Sequence, residues 1–336
     1  MKSLRTPNVH SLRPKTCVIF PGALGDFICF LPALQALAET AAVDLFARRE
    51  FAAISPRGVT VASIERPEIT RLFTPESTGN GAVQAFFQCY HTVYSWLGSG
   101  DENFVLQLRG VTGGCAQIFP FRSLSARSHQ RDYYLECLKL KGHALREPLI
   151  ALRTEAIRWA ERFWALHSSQ PRPVLAIAPG SGAREKNWPA ESFRRVINWW
   201  KQANGGTVLL LVGPVEQERG GSEALQSGCV VAKNLDLSQV AALLAGSDAY
   251  LGNDSGISHL AAALGVPTMA LFGPSDARQW RPRGKKVFLL RRGIDCSPCQ
   301  ELAMKACPHR ACLTELPPEE VIASLAKLPE LVTLTR

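Results

Sequence analysis

The sequence lacks an uninterrupted apolar run of the roughly 20 residues that a membrane-spanning helix needs. Its most apolar stretch, VIFPGALGDFICFLPALQALAE at 18–39, is broken by two prolines, two glycines and Asp26. An aspartate at the centre of a membrane helix costs about 2.5–3.5 kcal/mol. Basic residues precede the stretch, as they do in a signal peptide, but the interruptions argue against a signal peptide and a membrane anchor alike.

The sequence also lacks low-complexity segments and a compact disulfide framework. Its ten cysteines are scattered over 336 residues, a pattern typical of a reducing cytosol rather than of secretion. Hydrophobic residues make up 46% and charged residues 20%, as in soluble globular proteins, and the length allows two domains. A net charge of +9 indicates an anionic partner. The basic residues lack aromatic interleaving or a known module, so nucleic-acid binding is disfavoured.

The interruptions of the 18–39 stretch are those of a buried strand, a glycine turn and a helix. Cys17 to Phe20 predicts the strand, and Asp26 begins a helix that runs to about Glu39. Aspartate is favoured at this place because its carboxylate meets unpaired N–H groups and the positive end of the helix dipole. Asp26 is therefore either only a cap or part of a ligand site, and the local sequence favours neither.

Strand-like and helix-like segments alternate through most of the chain. Such alternation predicts parallel strands with crossover helices, so we expect an α/β protein with two Rossmann-like, doubly wound domains that face each other across a cleft. The polar, proline-containing segment SSQPRP predicts the boundary between them. The expected divisions are an acceptor-binding domain at 1–168, a donor-binding domain at 172–316, and a C-terminal helical segment at 317–336 that packs back across the interface.

Two glycine-containing turns at predicted strand ends indicate a phosphate site, because ligands of such sheets bind there. APGSGAREKNWP at 178–189 offers free backbone N–H groups and the charge of Lys186, although the lysine could simply be solvated. LGNDSGISHLAAALG at 251–265 opens a helix whose first turn is suited to an anion. Within it, Ser255 could be only the N-cap, and His259 could be only structural.

A third strand end carries positive charge. GPSDARQWRPRGKK at 273–286 contains the basic residues Arg281, Arg283, Lys285 and Lys286. Its position fits the attraction of phosphate or of an acidic acceptor, and a solvated face is the alternative. No glycine turn completes the G-x-G-x-x-G pattern, so a hydride-transfer enzyme is disfavoured.

Four blocks of sequence together resemble the heptosyltransferase family of GT-B glycosyltransferases, which transfer heptose from ADP-heptose to the lipopolysaccharide core. The blocks are GALGDFICFLPAL, APGSGAREKNWP, LLLVGPVEQE and NDSGISHLAAALGVPTMALFGPSD, in the order that the family has them. The resemblance implies an inverting transfer without a metal or other cofactor. It also implies a donor site in the C-terminal half and acceptor selection within 40–150.

The resemblance assigns a role to each candidate residue. Asp26 would be the general base, and Lys186, with Ser181 and Gly182, would hold the diphosphate and neutralise the leaving group. The remaining candidates for donor binding are Glu216 for the ribose, Asp254 for sugar hydroxyls, Ser255 and Gly256 for phosphate, and His259 in support. A helix N-terminus is expected to lower the pKa of Asp26, which would make it a weaker base unless the sugar C–O bond breaks early.

One cluster falls outside these assignments. It has the spacing C-x2-C-x7-C-x4-C and comprises Cys296, Cys299, Cys307 and Cys312. The first pair has the spacing of metal ligands, but the second pair does not have zinc-ribbon spacing. A metal site, free structural thiols and a disulfide formed on oxidation remain open.

The leading hypothesis is a cytoplasmic glycosyltransferase that works at the inner membrane face on an anionic, lipid-linked glycan acceptor. A second hypothesis keeps the fold but uses another nucleotide sugar to build a different surface glycan. A third is a catalytically inactive protein that binds a nucleotide sugar; the presence of both Asp26 and Lys186 argues against it.

Overall fold

The computed structural model of the chain describes residues 13–74, 81–123, 125, 128–140, 147–148, 150–167, 172–220 and 223–327. The residues group into two compact units. The first contains the chain up to Pro21 together with 35–49 and 57–121, and the second contains 22–34, 50–56 and the chain from Arg122 onward.

The first unit is built on a five-stranded parallel sheet. The strands are β1 (Lys15–Ile19), β2 (Ala42–Ala47), β3 (Val59–Ser63), β4 (Thr92–Ser95) and β5 (Ala116–Ile118). Their order is β3-β2-β1-β4-β5, so the chain winds outward from β1 in both directions. Val18 of β1 lies opposite Leu45 of β2 and Tyr94 of β4. Helices of this part of the chain are α2 (Pro67–Thr70), α3 (Gly81–Gln88) and α4 (Glu102–Val111).

The core of the first unit consists of apolar side chains from the sheet and from these helices. Ile19 and Val93 of the strands are fully buried with Phe87 of α3 and Phe104 of α4. Asp101 fixes the start of α4, because its side chain accepts the Phe104 backbone N–H at 2.9 Å. The burial of β1 on both sides explains why it reads as a continuous apolar run.

The second unit has a six-stranded parallel sheet. The strands are β6 (Val174–Ala178), β7 (Thr207–Val212), β8 (Val230–Lys233), β9 (Ala249–Asn253), β10 (Thr268–Phe272) and β11 (Val287–Arg291). Their order is β11-β10-β9-β6-β7-β8, with the change of winding direction between β6 and β9. In a doubly wound sheet, ligands bind beside the carboxyl ends of the strands at that point.

This unit also contains ten helices that begin after residue 121. They are α5 (Gln130–Cys137), α6 (Thr154–Ala165), α7 (Ala190–Asn204), α8 (Pro214–Arg219), α9 (Leu237–Ala245), α10 (Gly256–Ala263), α11 (Ala277–Trp280), α12 (Glu301–Ala306), α13 (Ala311–Thr314) and α14 (Pro318–Ala326), counted among the described residues. Helix α1 (Leu24–Thr40) begins among the residues of this unit. Gly205 ends α7 in the left-handed conformation, with φ of 57°, which glycine adopts without steric cost.

The structure confirms the predicted class of two doubly wound α/β sheets. Two strands were missed: β5, which has only three residues, and β11, which follows the basic run directly. The predicted boundary at 168–172 falls mostly on residues 168–171, which lie outside the described residues. Helix α14 packs on α7 and buries Val321 and Leu325 in the core of the second unit. Residues 328–336 lie outside the described residues, so the path of the predicted C-terminal segment stays a prediction.

Within the described ranges, no helix combines the length and the apolar character that crossing a membrane would require. Helix α1 carries most of the apolar stretch 18–39. It has 17 residues, and Asp26 lies in its first turn.

Candidate active site

The carboxylate of Asp26 divides its two oxygens between two environments. Oδ2 accepts the backbone N–H of Ala23 at 3.1 Å, as the third helical residue does in a capping box. Oδ1 is buried, and no hydrogen-bond partner reaches it among the residues that the structure describes. A buried carboxylate oxygen without a hydrogen-bond partner is costly. One oxygen of Asp26 therefore serves as a helix cap, and a catalytic role of the other oxygen stays a prediction.

Burial controls the protonation of Asp26, whose exposed fraction is only 8%. Loss of water raises its pKa above the ordinary value, while the positive charge of Arg122, the Ala23 N–H and the charge of Lys186 lower it in that order. The expectation of a lowered pKa was wrong, because desolvation outweighs the favourable charges at the helix start. A raised pKa makes the ionised carboxylate a stronger base.

Lys186 and Asp254 form an ion pair in the same neighbourhood. The Lys186 Nζ lies 2.8 Å from Asp254 Oδ2, and Asp254 is buried to 7% exposure. Lys186 belongs to a short 3₁₀ turn at Arg184–Lys186, and Asp254 follows β9. The glycine-containing loop and the β9 turn therefore converge, as their common position at strand ends predicted.

The starts of α1 and α10 touch each other through their backbones. Ser255 is the N-cap of α10 and accepts the Ser258 N–H. A Cβ atom on Gly256 would lie 2.8 Å from Leu24 Cβ and 3.0 Å from the Gly25 nitrogen. Only glycine permits this approach, which brings the positive ends of two helices together.

His259 is buried one turn inside α10. Its Nδ1 lies 3.7 Å from the sulfur of Cys29, and its ring packs against the position of Gly25. Burial lowers the pKa of His259 to about 4, so the imidazole is neutral at physiological pH. The histidine therefore supports the junction of the two helices by packing and does not add charge.

The glycine-containing loop lines a cavity of about 530 Å³. Gly180 and Glu216 face each other there, and a Cβ atom on Gly180 would overlap the Glu216 carboxylate. Gly182 is exposed with open space beside it. The hydroxyl of Ser181 lies 2.7 Å from both the Ala183 carbonyl and Asn187 Oδ1, so its side chain shapes the loop.

Two residues at the site were missed by sequence reasoning. Asn253 accepts the Trp188 N–H through Oδ1 at 3.0 Å and donates from Nδ2 to the Pro179 carbonyl, so it ties the glycine-containing loop to the end of β9. Arg122 provides the strongest positive influence on Asp26, and its guanidinium lies 5.1 Å from the ring centre of Trp280. Arg122 comes from an irregular segment without a motif, so no local signal could have identified it.

The structure therefore brings Asp26, Lys186, Asp254 and His259 together, with Ser255 and Gly256 at the adjoining helix start. Glu216 and the Ser181–Gly182 turn line or border the neighbouring cavity. Their individual catalytic and binding roles stay predictions.

The four-cysteine cluster is present as free thiols. The Arg310 N–H points to the sulfur of Cys307 at 3.3 Å, and the Cys299 N–H donates to the Pro274 carbonyl at 2.8 Å. Among the described residues, no three His, Cys, Asp or Glu side chains are arranged to hold a metal ion. The three alternatives, a metal site, free structural thiols and a disulfide formed on oxidation, stay predictions.

Part of the chain is similar in sequence to a known family. Residues 147–308 match the family model of glycosyltransferase family 9 (heptosyltransferase). The chain is 28% identical over 167 residues to lipooligosaccharide heptosyltransferase 2 of Campylobacter jejuni, a match that covers 47% of this chain and 52% of that protein. The chain spans about half the length of the curated relatives that it matches first.

Solved structures extend the comparison to the whole fold. The glycosyltransferase family 9 structure from Veillonella parvula has a TM-score of 0.77 at 19% identity and covers 96% of this chain and 98% of its own. The E. coli ADP-heptose lipopolysaccharide heptosyltransferase II has a TM-score of 0.69 at 20% identity, with coverage of 96% and 100%. The fold is therefore that of these heptosyltransferase structures, and the predicted resemblance to the heptosyltransferase family is confirmed over residues 147–308, which contain three of the four motifs.

Proposed function

We propose that the protein transfers a heptose from ADP-heptose to a hydroxyl of a lipopolysaccharide core acceptor, with inversion at the anomeric carbon and without a metal. The observation that carries the proposal is the buried Oδ1 of Asp26, which has no hydrogen-bond partner among the described residues. The positive charge of Lys186 is near enough to lower the pKa of this carboxyl. The match to heptosyltransferases and the ADP-heptose named for the E. coli structure supply the donor.

In the proposed reaction, Asp26 Oδ1 accepts the proton of the acceptor hydroxyl. The acceptor oxygen forms its bond to the anomeric carbon while the bond from that carbon to the diphosphate oxygen breaks. The electron pair of the broken bond leaves with ADP, and attack from the opposite face inverts the configuration. Lys186 and the two adjoining helix starts stabilise the negative charge that develops on the diphosphate.

Two further candidates, Glu216 and Asp254, contact the donor in this scheme. The cavity beside Gly180 receives the nucleoside, where the Glu216 carboxylate accepts hydrogen bonds from ribose hydroxyls. Asp254, already oriented by Lys186, accepts hydrogen bonds from the hydroxyls of the transferred sugar. Work at the cytoplasmic face of the inner membrane fits a lipid-linked acceptor, and the net charge of +9 fits an anionic one.

The first experiment compares thermal unfolding with ADP, UDP, GDP and NAD at one millimolar-range concentration. A ligand at 100 times its dissociation constant stabilises by about 2.7 kcal/mol, and we expect only ADP to do so. Selective stabilisation by UDP or GDP would mean that the donor carries that nucleotide instead of ADP. Stabilisation by none of the four would favour a catalytically inactive protein.

The second experiment supplies ADP-heptose and an isolated core acceptor. NMR of the product should show an anomeric configuration opposite to that of the donor, and a chelator should leave the rate unchanged. Retention of configuration would contradict the role of Asp26, and loss of rate on chelation would contradict transfer without a metal.

A further inference from the structure

A second cavity, outside the groups used above, is lined by three arginines. It has a volume of about 280 Å³ and is bounded by Arg131, Arg281 and Arg283, with Glu147 on its wall and Val287 and Leu289 beneath. None of these residues lines the nucleoside cavity.

A neutral histidine fixes two of the arginine-bearing segments to each other. His129 is the N-cap of α5, where its Nδ1 accepts the backbone N–H of Arg131 at 3.1 Å. Its other nitrogen, Nε2, lies 2.8 Å from the Arg281 carbonyl, to which it donates. Burial lowers the pKa of His129 to about 4, so the ring stays neutral and can make both bonds at once. The segments that carry Arg131 and Arg281 are therefore tied to each other through the His129 side chain.

The charges around the cavity are only partly balanced. Asp132 bridges two of the arginines, with Oδ1 3.0 Å from Arg131 and Oδ2 3.5 Å from Arg283. Across the described ranges, no carboxylate lies within ion-pair distance of Arg281. Counted over the described residues, three guanidinium groups thus face the two carboxylates of Asp132 and Glu147, which leaves one excess positive charge.

The excess positive charge affects the guanidinium of Arg283. Its Nε is buried, and no hydrogen-bond partner reaches it in the part of the chain that the structure describes. Burial lowers its pKa, and the positive charges of Arg131 and Arg281 lower it further. An anion in the cavity would pair with the buried N–H and relieve the repulsion, and guanidinium groups bind phosphate and carboxylate through two parallel hydrogen bonds.

Helix α5, which carries Arg131, packs on the helix that carries Asp26, because the rings of Tyr134 and Phe30 lie 5.5 Å apart, edge to face. Cys29 is one helical turn after Asp26 on α1, and both Arg131 and Arg283 lower the pKa of its buried thiol, which burial itself raises. Through this proximity, an anion held by the arginines would lie beside the helix that carries Asp26. The nucleoside cavity is formed by other segments, around Gly180 and Glu216.

We propose that the cavity of Arg131, Arg281 and Arg283 is an acceptor subsite that binds an oxyanion group, phosphate or carboxylate, carried by the acceptor glycan. This inference rests on the proposed function, because it assigns the charge of that acceptor to a place in the structure. Bound there, the charged group would orient the acceptor relative to Asp26.

The test measures thermal stability of the protein saturated with ADP, so that the donor site is occupied. Glucose 6-phosphate, the methyl glycoside of N-acetylneuraminic acid and neutral methyl glucoside are titrated at constant ionic strength, since salt screens surface charges. The variants are Arg281→Gln and the double variant Arg281→Gln/Arg283→Gln. Arg194→Gln is the matched control, because Arg194 is an exposed arginine of α7 that pairs with Glu191 and does not line the cavity.

We expect stabilisation by the phosphorylated or the carboxylated sugar, and the one that binds identifies the anion. The affinity should fall at least tenfold in the double variant and less in Arg281→Gln, while Arg194→Gln should match the parent. Arg281 is exposed, so we expect the single variant Arg281→Gln to fold. Its affinity for the acidic sugars still tests the proposal if the double variant does not fold.

Equal binding of the acidic sugar to the parent and the double variant would overturn the proposal, as would equal stabilisation by methyl glucoside or none by any sugar. The same titrations are repeated without nucleotide. If ADP fails to stabilise the protein, the proposed donor is wrong, while the acidic sugars still report on the arginine cavity.

Discussion

Two turns of this protein have the same local construction but leave their aspartates in different states. Asp26 follows β1 at the start of α1, and Asp254 follows β9 at the start of α10. Both are nearly fully buried, with exposed fractions of 8% and 7%. Asp254 has a lysine at 2.8 Å, whereas Asp26 has a backbone N–H on one oxygen and no partner among the described residues on the other. A paired carboxylate is a fixed acceptor, and an unpaired, desolvated one is a stronger base. In the proposed function, this difference suits Asp254 to binding the donor sugar and Asp26 to proton transfer.

The largest expected effect is the loss of transfer on removing the unpaired carboxylate. Asp26→Asn should keep the cap to Ala23 but lower the transfer rate by about 10²–10⁴-fold, the usual contribution of a general base. ADP affinity, measured by calorimetry, should stay within a few-fold of the parent. Asp101→Asn is the control, because Asp101 caps α4 in the first unit and is not one of the site residues. A large loss of ADP binding in Asp26→Asn would place this residue in the donor site.

A smaller effect is expected from unpairing the other carboxylate. Lys186→Met should weaken ADP binding by roughly 10- to 100-fold, which corresponds to one charge-assisted hydrogen bond. Calorimetric titration with ADP measures it, and Lys305→Met, which removes an exposed lysine paired with Glu301, is the control. Unchanged ADP affinity would assign the phosphate site to other residues.

The contact between the two turns can be tested by adding a single methyl group at Gly256. Gly256→Ala forces the start of α10 against Leu24 and Gly25, so we expect a loss of about 1–3 kcal/mol in the free energy of unfolding. Denaturant titration measures it. Gly293→Ala should have little effect, since open space surrounds that position. Equal stability of the two variants would mean that the helix starts can separate freely.

The smallest expected effect is a displacement of the pH profile. Activity requires ionised Asp26, so it falls as the pH decreases through the raised pKa of that carboxyl. Arg122 lowers this pKa, so Arg122→Gln should move the acidic limb of the profile to higher pH, while Arg122→Lys should leave it near that of the parent. An unchanged limb in Arg122→Gln would show that its charge does not act on the base.

The sequence predicted much of this site because its elements are local. The alternation of strands and helices, the glycine at the end of α7 and the first-turn position of Asp26 all follow from patterns within a few residues. The short strand β5 and the strand β11 were missed, since three residues or a neighbouring basic run give too little periodicity. The raised pKa of Asp26 was also missed, because the expectation considered the helix dipole and not the burial around it.

The sequence by itself determined the two parallel sheets, the helix starts at the strand ends and the residue types placed there, since hydrophobic periodicity and turn chemistry act over short distances. Tertiary structure alone decided that Asp254 pairs with Lys186, that Arg122 lies near Asp26 and that three arginines enclose one cavity. These residues are far apart in the chain, and the free energy of each charged group depends on the charges and the water around it after folding.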